Sequence, residues 1–100
     1  MSEGRKDDQG KLRYDLLPPD ALEALVEIFT DGAAKYGEYN WSQGMAWSRP
    51  FAAAQRHLWA WWAHQDMDQE SGRSHLAHAA VNLLFLLAYS KREVGNDDRQ

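Results

Sequence analysis

One hundred residues suffice for one domain with a modest core, and the net charge of −4 argues against broad, non-specific binding of a nucleic-acid polymer. The chain has no cysteine, which excludes disulfides, thiolate metal sites and cysteine nucleophiles and fits a reducing cytoplasm. The N-terminus is too polar for a signal peptide and the longest apolar run is too short to span a bilayer, so no membrane partner is expected.

Residues 1–10 mix charge with glycine and read as a flexible leader. Lys11, Arg13, Tyr14 and Asp15 run into Leu16-Leu17-Pro18-Pro19, which reads as an ordered arm docked on the core. Pro18 and Pro19 stop any earlier helix. Asp20 with Glu23 has the form of a capping box. Leu22, Leu25, Val26, Phe29, Ala33 and Tyr36 then recur at helical spacing up to Gly37, which predicts a first helix over about 20–36. Glu23 and Glu27, one turn apart, read as a solvated face.

Residues 37–50 form a loop carrying Tyr39, Asn40, Trp41 and Trp47, rings that lid the core or stack on a ligand. Ser48 is placed to cap a second helix over about 50–65, with Phe51, Ala54, Leu58, Trp61 and Trp62 along one face. Trp59 lies away from that face and points to a second buried surface, most simply between subunits. A third helix is expected over about 74–92, with a charged, frayed tail from Gly95 to Gln100. The pattern is an all-α antiparallel bundle of three main helices with an N-terminal arm, in a single domain, completed by homo-oligomerisation.

The stretch before and into the third helix, DMDQESGRSHLAHAAVNLLFLL, is the most informative. Asp66, Asp68 and Glu70 alternate, Gly72 turns the chain and Ser74 can cap. The helix is apolar on nearly every side, which predicts that it is buried. Yet His75, His78 and Asn82 stack on one face and require partners. The carboxylate loop could supply these directly or through a metal. The spacing is not that of an EF-hand, because Ser71 and Ala77 stand at its sixth and twelfth positions. Oxygen-rich ligands with imidazole suit magnesium or manganese, held by Asp66, Asp68, Glu70 and His75; the other reading is a hydrogen-bonded loop without metal. No phosphate-cradling glycine motif is present, so side chains such as Lys11, Arg13, Lys35, Arg49 and Arg56 would have to hold phosphate.

Four strings, KLRYDLLPPDAL (11–22), GAAKYGEYNW (32–41), WSRPFAAAQRHLWAWW (47–62) and the 66–87 stretch, resemble the small phage and prophage domain described as the N-terminal domain of dATP/dGTP diphosphohydrolases. The resemblance covers about residues 5–90. It implies an all-α, MazG-like pyrophosphohydrolase that converts a deoxynucleoside triphosphate to monophosphate and pyrophosphate with magnesium. MazG-type enzymes carry metal carboxylates as ExxE and ExxD pairs. This chain has neither, and offers His78 and Asn82 where the second pair would fall.

Two functional readings follow. In an enzyme, Asp68, Glu70 and His78 would act at the metal-bound phosphates. Lys11, Arg13, Lys35, Arg49 and Arg56 would neutralise charge, while Tyr14, Tyr36, Asn40, Trp41, Trp47 and Asn82 would hold the rest of the nucleotide. In a non-catalytic phage module, the same residues would sequester a nucleotide or a nucleotide-derived signal without metal.

Overall fold

The computed structural model describes residues 3–100; residues 1 and 2 of the expected leader lie outside it. The chain is all-α. Three helices, α1 (Pro19–Tyr36), α2 (Ser48–Trp62) and α3 (His75–Arg92), are accompanied by one-turn 3-10 segments at Tyr14–Leu16, ahead of α1, and at Asn40–Gln43, between α1 and α2. Among the described residues there is no sheet, only isolated bridges between Ala46 and Asn96 and between Met67 and Ser74. No described helix is long and apolar enough to cross a membrane.

The helix limits follow from local chemistry. Pro18 is extended and Pro19 fills the first position of α1, where a missing N–H costs nothing. Asp20 therefore lies inside the first turn, where its charge suits the helix dipole, and the expected capping box does not form. α1 ends where Gly37 takes a positive φ of 99°. α2 stops three residues short of its predicted end. Gln65 N–H bonds to Ala60 C=O and His64 N–H to Trp61 C=O, with His64 left-handed at φ 67°. This is a Schellman closure without the usual glycine, so the sequence carried no stop signal there. Ser74 caps α3 as expected, its Oγ accepting Ala77 N–H at 3.3 Å. Ser48 does not cap α2. It is the first helical residue, and Asp98 accepts both its N–H (2.9 Å) and its Oγ–H (2.5 Å).

That contact ties the segment 95–100, expected to fray, to the start of α2. Trp47 N–H bonds to Asn96 C=O at 2.9 Å, Trp47 Nε1–H to Val94 C=O at 2.9 Å, and Arg99 lies over the Trp47 ring. α3 is central, packing on α2 and α1, while α1 and α2 do not pack on each other. The small core is Ala54, Ala77, Ala79, Val81 and the fully buried Tyr89. α3 is not buried all round, as its sequence predicted: Leu76, Leu83, Leu84 and Leu87 face outward, because two flanking helices cannot enclose a third. The arm also departs from expectation. Leu12, Tyr14, Leu16 and Leu17 are exposed, and Arg13 pairs with Asp15 rather than with the core.

The 44–47 turn and the 94–96 return pass closely enough to demand glycine. Gly95 has φ 82°, and a Cβ there would collide with the Met45 carbonyl. Gly95→Ala is expected to lower unfolding free energy by about 1–3 kcal/mol, read by urea denaturation.

Candidate functional site

A cavity of about 1100 Å³ opens between α1, the 37–45 loop and the inner face of α3. Its floor is aromatic. Phe85 of α3 stacks on Trp41 (centroids 5.7 Å, 19°), and Phe29 of α1 meets both rings edge-on. The Tyr89 hydroxyl donates to the Trp41 carbonyl at 2.6 Å, which fixes the loop to α3, and Arg92 lies 5.1 Å over the Trp41 ring. Trp41 is thereby packed into the wall of the cavity. Tyr36 and Tyr39 stand exposed at the rim, with Tyr39 held left-handed at φ 60° and its carbonyl accepting Ser42 Oγ–H.

The opposite end is polar. His57 of α2 stacks on His78 (centroids 4.5 Å, 10°), and its Nδ1 lies 2.8 Å from Nδ1 of His75. One hydrogen lies between those two nitrogens, so one ring donates and the other accepts. Asp68 accepts from Ser71 N–H (3.1 Å) and Ser71 Oγ–H (2.7 Å), and Ser71 Oγ lies 2.7 Å from His78 Nε2. The Ser71 hydroxyl has one proton; given to Asp68, it requires His78 to carry its own on Nε2, leaving Nδ1 unprotonated. Asn82 donates one N–H to the His78 carbonyl, leaving its other donor and its oxygen free.

The loop that brings Asp68 and Ser71 here is latched from α1. Arg73 grips Asp31 with Nε (2.9 Å) and a second guanidinium nitrogen (3.1 Å), and reaches Glu27 with the third. A bidentate Arg–carboxylate fork fixes orientation as well as charge. Arg73 holds the Asp31 carboxyl below its ordinary range, and hydrogen bonds from Ser71 do the same for Asp68. Glu27 is thus half of a latch and not a free solvated charge.

The structure brings ten of the predicted residues to this cavity: Lys35, Tyr36, Asn40, Trp41 and Arg56, with Asp68, Glu70, His75, His78 and Asn82. Lys11, Arg13, Tyr14, Asp66, Trp47 and Arg49 do not line it. The arm stays away, Trp47 serves the tail, and Asp66 uses its backbone carbonyl to accept His75 N–H. Sequence reasoning missed Phe29, Asp31, His57, Ser71 and Phe85. For His57 there was a signal, a histidine on the flank of an otherwise apolar helix. The four groups proposed for a metal do not fit one as arranged. Asp66 is outside, His75 Nδ1 is engaged by His57, Asp68 is engaged by Ser71, and no three metal-binding side chains converge among the described residues.

The groove has an aromatic floor, a polar histidine–carboxylate end and the basic groups Lys35 and Arg56 at its edge, the features of a small-molecule site. The chain belongs to the family described as dATP/dGTP diphosphohydrolase, N-terminal, whose model matches residues 1–99. It is 36% identical over 97 residues to a protein of Salmonella phage PMBT28 named dATP/dGTP diphosphohydrolase. That match covers 97% of this chain and 33% of the relative, so the chain spans about a third of the relative's length. No solved structure matches.

Burial holds both His57 and His78 below the ordinary imidazole pKa, with neighbouring histidines adding to the effect. The unfolded chain therefore binds more protons near and below pH ~6.5, and stability rises with pH there. This contribution is complete above the unfolded value and is lost as pH falls from it through the folded values. Asp68, held low by Ser71, stays ionised across that window and adds nothing to the slope. Melting temperature should fall between pH 7.5 and 5.5, and His57→Gln with His78→Gln should flatten the decline.

Proposed function

We propose that this chain is the nucleotide-binding part of a deoxynucleoside triphosphate diphosphohydrolase and takes dATP or dGTP into this groove. The observation that carries the reading is the layout of the inner face of α3. His78 and Phe85 are seven residues apart, about 10 Å along the helix axis. The polar and aromatic ends of the cavity are thus separated by roughly the reach of a nucleotide from phosphates to base.

The base lies over the Phe85–Trp41 floor against Tyr39 or Tyr36, and Asn40 and Asn82 offer hydrogen bonds to its edge or to the sugar. The triphosphate, as its magnesium or manganese complex, points toward Asp68, Glu70 and the histidines. Arg56 and Lys35 offset negative charge on the departing pyrophosphate. A water oxygen bonds to the α-phosphorus and the bridging bond between that phosphorus and the pyrophosphate oxygen breaks. The water's proton passes to His78, which burial keeps unprotonated near neutral pH. The histidine's position beside Asp68 and Ser71 supports this role.

The test incubates the protein with a panel of deoxynucleoside and ribonucleoside triphosphates, with and without magnesium or manganese, and separates the products. Conversion of dATP or dGTP to monophosphate and pyrophosphate is expected. Asp68→Asn and His78→Gln should each cut turnover by about a hundredfold or more. Tyr39→Ala should weaken binding roughly tenfold through lost stacking. Stoichiometric retention of an intact nucleotide would replace the enzyme with a sequestering module. The absence of both turnover and retention would overturn the reading.

A further inference from the structure

The other side of the molecule carries a second feature, independent of the groove. α2 buries Pro50 and Ala54 and sets His57 against His75, while α3 buries His75 and Ala79. At about 100° per residue, Phe51, Leu58 and Trp62 lie a quarter turn from that line on α2. Leu76, Leu83 and Leu87 lie a quarter turn from it on α3, in the same rotational sense. The two helices are antiparallel, because α2 begins at the tail that follows α3 and His57 meets the start of α3. Equal rotations on antiparallel neighbours point to the same side, so the two stripes form one continuous apolar face. Phe85, which packs on Phe29 of α1, is diametrically opposite the α3 stripe. The groove and α1 therefore occupy one side of the α2–α3 pair and this face the other.

All these side chains are open: Trp62 is 71% exposed, Phe51 53% and Leu87 55%. With Leu58, Leu76 and Leu83 the face amounts to about 650 Å². That exceeds the largest apolar patch of a typical monomer, ~300–600 Å². It lies within the roughly 600–1,000 Å² that one partner of a stable interface buries. Between the large side chains the stripes hold only Gln55 and Ala80, and no charge. A charged partner finds nothing to pair with there, and the basic flank of a helix that lies on anionic lipid is missing. What fits is another uncharged face of two antiparallel helices.

We infer that this face seats a second copy of the chain. The two α2–α3 pairs stack about a two-fold axis as a four-helix bundle, with the two grooves directed outward. In sedimentation velocity or light scattering at micromolar concentration, the protein should have twice the 11.5 kDa chain mass. Trp62→Glu combined with Leu83→Glu should yield a monomer and weaken association by at least about a hundredfold. Both residues are exposed in the single chain, so circular dichroism should be unchanged. Trp62→Ser alone, which only removes an exposed ring, is the milder second variant and should shift the equilibrium the same way. A protein that stays monomeric through this range, or a dimer that neither variant disturbs, overturns the inference. So does a monomer that cosediments with phosphatidylcholine vesicles, which would assign the face to lipid.

Discussion

The hydrogen bond from the Tyr89 hydroxyl to the Trp41 carbonyl is the contact on which the site depends. Tyr89 is the most deeply buried large side chain in the chain, and its hydroxyl would be costly there without an acceptor. The loop supplies that acceptor from its backbone, so the bond fixes where the 37–45 loop lies rather than which residue it carries. Trp41 then stacks on Phe85, Phe29 closes against both, and α1 is held to α3 at a distance that leaves a groove between them. The arrangement is economical for a chain with so small a core: one satisfied polar contact sets one wall of the cavity.

The other wall is set by charge. Arg73 stands at the end of the carboxylate loop and reaches across to two acids of α1. These groups are partly exposed, and such pairs contribute little to stability by themselves. Their value is positional, because a fork gripping Asp31 fixes the loop's orientation, and with it the placement of Asp68 and Ser71 against His78. Aromatic packing thus closes one end of the groove and an ion-pair latch the other. The histidines from α2 and α3 meet between them.

Much of this was legible in the sequence because helices announce themselves locally. Apolar spacing, the paired prolines, Gly37 and Ser74 placed the three helices within a few residues. The histidine stripe on an apolar helix demanded partners, and the preceding loop does provide one of them through Ser71. What was not legible is pairing over distance. Nothing local says that Arg73 will choose Asp31 and Glu27, or that His57 will meet His75. The reading of α3 as buried failed for a related reason. Periodicity reports that a face is apolar, not that this chain has enough helices to cover it. The arm failed in the opposite way, since Leu16 and Leu17 look like anchors in sequence and stand exposed in the fold.

The contact between His57 and His75 has one more consequence. With a single hydrogen shared between two Nδ1 atoms, the pair has two states, one with His57 as donor and one with His75. Passing that hydrogen across, with one Nε2 giving its proton to water and the other taking one up so that both rings stay neutral, reverses the polarity of both Nε2 atoms. No heavy atom has to move. The inner end of the groove can therefore present either hydrogen-bonding pattern to whatever enters it, and a ligand selects the tautomer that suits its own atoms.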